Sequence, residues 1–156
     1  MIKGESFMPQ ATHQVELALS NEITWEFFKD YNNWAPLIPG YIAHEVQSDA
    51  QFTWIILADL GFTKKTIKLQ VDVTDLIEPT DVKFQLKGLS DNFNGSGYYN
   101  ILAISDNTTQ ITGSLDLSAG GMMGMMINSV LENFVPKATK ELTETIGAKL
   151  SEIHVG

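Results

Sequence analysis

The chain has 156 residues, no cysteine, and ten basic against nineteen acidic side chains, a formal net charge of −9. A domain of this length buries roughly 70% of its unfolded surface and needs no staples, and the missing cysteines remove disulfides, thiolate nucleophiles and Cys-ligated metal sites together. The acidic balance opposes the counterion release that drives nucleic-acid binding, so no nucleic-acid partner is expected; without an apolar run of about 18 residues or a signal-peptide pattern, the expectation is a soluble, cytoplasmic protein.

No tract repeats at a fixed period and no linker exceeds a turn, so residues 1–156 read as a single domain. His13, Val15, Leu17 and Leu19 alternate with polar neighbours and predict a half-buried strand. Ser20 and Asn21 are good helix caps, and Ile23 to Tyr31 form a short aromatic helix that Asn32-Asn33 interrupts. A second helical turn around Trp34 to Ile38 stops at Pro39-Gly40. Strands then dominate. Ile42, His44 and Val46 share one face; Phe52, Trp54, Ile56 and Ala58 follow, and Gly61 breaks the run. Ile67, Leu69, Val71 and Val73 alternate with Lys68, Gln70, Asp72 and Thr74, the clearest period of two in the chain. Val82, Phe84 and Leu86 repeat it, then Gly95, Gly97, Tyr99 and Ile101, then Ile111, Gly113, Leu115 and Leu117. Glycines on the inner side of a strand allow a bend or a close approach.

A long helix closes the chain after Gly120-Gly121. From Met122 onward, Met123, Ile127, Leu131, Phe134, Ala138, Leu142, Ile146, Leu150 and Ile153 recur at threes and fours, one buried face that needs a sheet beneath it. Met122, Met123, Met125 and Met126 crowd its first turns. Such flexible side chains serve equally as core or as a lining that repacks around a guest.

The order strand, two short helices, six strands, long helix, with Trp25, Asp30, Pro39-Gly40, Leu60-Gly61, Pro79, Gly88, Gly97 and Gly120-Gly121 at fitting intervals, resembles the CoxG-like family of carbon monoxide dehydrogenase accessory proteins. The similarity runs from about Gly4 to Leu142. That family belongs to the START-like (SRPBCC, Bet v 1-like) helix-grip superfamily. The resemblance implies an α+β fold: a curved seven-stranded antiparallel sheet gripping the long C-terminal helix, with an apolar tunnel between them. Relatives bind lipids, sterols, polyketides or isoprenoids, and the CoxG-like proteins are accessory factors for molybdenum-dependent enzymes. Longer members carry a C-terminal extension implicated in membrane attachment; this chain stops at Gly156, so no stable membrane anchor is expected.

Catalytic and metal chemistry find little support in the residues. His13, His44 and His154 stand in no motif, and no ligand spacing of the HExxH or acidic-loop type is present, so no metal, cofactor or catalytic residue is expected. Gly95-Ser96-Gly97 is followed by strand rather than helix, which excludes a phosphate loop. Strand parity puts His44 on the apolar side, either as a satisfied core histidine or as a group that orients a ligand. Trp25, Phe28, Trp34, Trp54, Phe84, Tyr99 and Phe134 are core or lining. In a helix-grip fold the expected lining is these seven with Leu37, His44, Met123 and Ile127, Trp34 and Leu37 guarding the entrance. Lys64, Lys65 and Lys68 read as a solvated strand face. The expected function is non-catalytic carriage of a hydrophobic small molecule, such as a lipid, isoprenoid or quinone. The alternatives are an accessory factor docking on a molybdenum hydroxylase such as carbon monoxide dehydrogenase and a START-like cyclase, dehydratase or hydrolase using His44.

Overall fold

The alternating segments become seven antiparallel strands in the computed structural model, which describes residues 10–89 and 91–154. Gly4 and Gly156, the ends of the family resemblance and of the chain, lie outside the described residues. Strand β1 (Gln10–Leu17) leads to helices α1 (Asn21–Phe28) and α2 (Tyr31–Trp34) and a single 3-10 turn, Ala35–Leu37. Strands β2 (Tyr41–Ser48), β3 (Gln51–Asp59), β4 (Lys64–Ile77), β5 (Asp81–Gly88), β6 (Phe93–Ser105) and β7 (Thr108–Ala119) follow, and helix α3 (Gly124–Ile153) ends the fold. The spatial order is β1-β7-β6-β5-β4-β3-β2, so one long connection carries the chain from one sheet edge to the other through α1 and α2. This is the helix-grip arrangement.

Local chemistry explains the punctuation. The Ser20 side chain accepts from the Ile23 amide and caps α1, while Asp30 accepts from the Asn32 amide and restarts the chain as α2. In β4, Ile67, Leu69 and Val71 are buried and Lys68 is exposed; Val82, Phe84, Leu86, Ile111, Leu115 and Leu117 are buried on the same inner face. Period two therefore assigns the faces wherever a strand pairs on both sides.

Two close approaches position the helix and the aromatic core. A methyl group at Gly113 would overlap the Thr143 Oγ1 of α3, so the missing side chain lets the second half of the helix settle onto β7 and β1. A methyl at Gly97 would overlap the Phe84 ring of the neighbouring strand, which instead lies across the sheet. Phe84 stacks on Trp34 with centroids 5.3 Å apart, and Trp34 meets Phe52, Trp54 and Tyr99 edge-on at 5.8, 5.8 and 5.0 Å. Both buried indoles are satisfied: Trp34 Nε1 donates to the Phe28 carbonyl at 3.1 Å and Trp54 Nε1 to the Ala35 carbonyl at 2.7 Å. The first bond ties α2 to α1, and the second fastens the 3-10 turn to β3. Among the described residues no helix is long and apolar enough to cross a membrane.

Candidate ligand cavity

The close seating that Gly113 and Gly147 permit involves the second half of α3. Between the first half and the sheet lies a cavity of about 510 Å³, open to solvent, walled by Ala58 and Leu60 of the β3 end, Ile67 of β4, Phe93 of β6, Leu117 and Ala119 of β7, and Met123, Ile127, Leu131 and Phe134. The volume falls in the range of small-molecule sites, and the wall is apolar with few polar groups, as such sites are. Exposed Phe62 and Met122 stand at the opening.

Two tethers hold the cavity open at that end. The Asn128 side-chain amide donates to the Ala119 carbonyl at 3.0 Å while its oxygen accepts from the Ala119 amide at 2.8 Å, clamping the end of β7 to the start of α3. The Gly120 amide donates to the Asn92 carbonyl at 2.9 Å, tying the β5–β6 loop to the same turn. Polar residues at the cavity are confined to loop and strand ends: Thr63, Lys65, Asp91 and Asn92. Lys65 Nζ lies 3.4 Å from Asp91 Oδ1.

Of the eleven expected lining residues, Met123, Ile127 and Phe134 wall this cavity. Trp25, Phe28, Trp34, Phe84 and Tyr99 are buried in the aromatic core, away from it. Trp54 is buried too, and borders a small void of about 30 Å³ under α3, whose wall Phe134 shares. Trp34 is fully buried, so its expected place at an entrance is corrected: its indole is bonded to α1, the Trp54 indole holds the adjoining Ala35 carbonyl to β3, and the open cavity lies instead under the first half of α3. Leu37 packs against the core in the same 3-10 turn as Ala35. The Tyr99 hydroxyl is buried with no hydrogen-bond partner among the described residues, and burial pushes its pKa well above the ordinary phenol range.

His44 also lies outside the cavity. A register shift between Tyr41 and Ala43 breaks the simple alternation of β2, an edge strand, leaving Ile42 and Val46 exposed. The imidazole is occupied on both sides: Nδ1 accepts from the Tyr41 hydroxyl at 2.9 Å, and Nε2 donates to Asn32 Oδ1 at 2.8 Å, the assignment set by the Asn32 amide donating to Asp30. It is a neutral strut between α2 and β2. Burial lowers its pKa from the ordinary 6.5, with Asp30 pulling the other way. In the unfolded chain His44 protonates first, so the stability present at neutral pH is lost as pH falls through about 6.5 toward the lower folded value. His44→Gln should flatten that limb in thermal melts between neutral and mildly acidic pH; an unchanged slope would remove His44 as its source.

Sequence reasoning missed Lys65, Asp91, Asn92 and Asn128. Lys65 carried a usable signal, because it shares parity with Ile67 while Lys64 and Lys68 have the opposite parity. Asp91 and Asn92 lie in the β5–β6 turn, where no periodicity operates, and Asn128 lies in α3 beside Ile127 but off the apolar stripe. Among the described residues no three His, Asp or Glu side chains come together as a metal site.

A protein-family model matches residues 8–151. No curated protein sequence matches the chain. Among solved structures, the Zhui aromatase/cyclase from Streptomyces sp. R1128 superposes with a TM-score of 0.71 at 15% identity, covering 95% of this chain and 97% of that one. A START superfamily protein from Mycobacterium smegmatis gives 0.71 at 14%, covering 92% and 98%. Norcoclaurine synthase from Thalictrum flavum, in complex with dopamine and hydroxybenzaldehyde, gives 0.68 at 13%, covering 96% and 89%. At these identities the likeness is one of fold.

Proposed function

We propose that this chain, whose fold is that of solved START-like structures, binds and carries a hydrophobic small molecule, a lipid, isoprenoid or quinone-like compound, in the cavity under the first half of α3. The observation that supports this reading most is the wall itself, an open apolar cavity of about 510 Å³ lined by Leu60, Ile67, Leu117, Ile127, Leu131 and Phe134. Burying apolar surface there contributes roughly 25 cal/mol per Å² of ligand covered, less the cost of ordering it. Unbranched Met122 and Met123 at the mouth adapt to ligand shape at small cost.

Catalysis is not part of the proposal. The one histidine weighed as a catalytic group, His44, is engaged with Tyr41 and Asn32 at the sheet edge, outside the cavity. Fold neighbours that are cyclases or synthases carry their chemistry in their own residues. A second reading, that the protein delivers its cargo as a CoxG-like accessory factor of a molybdenum hydroxylase, draws support from the exposed Phe62, Met122 and Met125, which offer a receiving partner an apolar contact.

The test is organic extraction of the purified protein followed by mass spectrometry, with titration of the uncharged dye N-phenyl-1-naphthylamine. A hydrophobic compound present in equal amount to protein and saturable dye binding are expected. His44→Ala should leave dye affinity within about twofold, since the imidazole lies outside the cavity. Absence of both ligand and dye binding would refute the carrier reading.

A further inference from the structure

We infer that the cavity selects an uncharged head group, an alcohol, phenol, ketone or amide on an apolar body, and that the Lys65–Asp91 pair is the selecting element. This rests on the carrier reading above and specifies its ligand. Among the described residues walling the cavity, Lys65 is the one cation and Asp91 the one carboxylate, and their charged atoms lie 3.4 Å apart. They are joined at the same end by Thr63 and Asn92, while the inner wall is apolar. A ligand is thereby oriented with its apolar body under α3 and its polar end at the mouth.

The pair is neutral as a unit but offers both a donor and an acceptor. An anionic head would reach the Lys65 ammonium only by placing a second negative charge beside Asp91, within a protein whose net charge is −9. A cationic head meets the same conflict with Lys65. An uncharged head that accepts from Lys65, donates to Asp91 or bonds the Asn92 amide avoids both conflicts and carries no ionic desolvation cost. The Lys65 and Asp91 side chains are 48% and 26% exposed, so the discrimination is moderate rather than absolute.

Displacement of N-phenyl-1-naphthylamine by dodecanol, dodecanoate and dodecylammonium at neutral pH tests this. Dodecanol should compete at about tenfold lower concentration than either ion. Since any apolar cavity disfavours ions, the charge variants carry the decision. Asp91→Asn should improve dodecanoate relative to dodecanol by about five- to tenfold, and Lys65→Gln should do the same for dodecylammonium. Equal competition by either ion on the unmodified protein, or variants that leave the ranking untouched while dodecanol still binds, would overturn head selection and leave the carrier reading standing. Failure of all three amphiphiles and of the dye would overturn both.

Discussion

Trp34→Ala is expected to destabilise the fold by about 3–5 kcal/mol, a fall in melting temperature on the order of 10 °C for a domain of this size. The indole is fully buried, in contact with four aromatic rings, and its Nε1 satisfies the Phe28 carbonyl. Removing it leaves a cavity that rigid neighbours cannot fill and a buried carbonyl without its donor. Because Trp34 stands away from the ligand cavity, dye affinity measured well below the melting transition should change by no more than about twofold. A melting temperature lowered by less than about 2 °C together with altered dye exchange would restore Trp34 to the entrance, where the family resemblance had put it.

Ile127→Trp should do the opposite. Ile127 walls the cavity from α3, is partly exposed, and packs against the core on one side while bordering open volume on the other. An indole there has room to enter the 510 Å³ without forcing the backbone apart, so stability should stay within about 1 kcal/mol of the parent while the added ring occupies ligand space. Dye and dodecanol affinity should fall by at least about tenfold. Unchanged affinity in a folded variant would place the binding site elsewhere.

Together the two substitutions separate core from cavity among residues that look alike in the sequence. Aromatic side chains on inner strand faces and short helices satisfy the same pattern whether they touch a ligand or each other. The distinction depends on where α3 leaves the sheet, and that is set by contacts distant in the chain: Gly113 against Thr143, Gly147 against Val15, and Asn128 clamped to Ala119.

Element order and the inner face of each well-paired strand were legible in the residues alone. A period of two or of 3.6, with caps at Ser20 and Asp30, is a local property that burial on one face enforces. The same periodicity located three lining residues, Met123, Ile127 and Phe134, because they share the helical stripe above the sheet. Parity misled at His44, where the register shift in an edge strand sets the alternation aside and both imidazole nitrogens find partners outside the cavity. Which end of the sheet stays open is settled in three dimensions. Gly113 and Gly147 let the second half of α3 settle onto β7 and β1, and at the mouth of the gap left under the first half Lys65 of β4 meets Asp91 and Asn92 of the β5–β6 loop. No local pattern encodes that meeting, since it is produced by the distance between helix and sheet rather than by the spacing of residues along either.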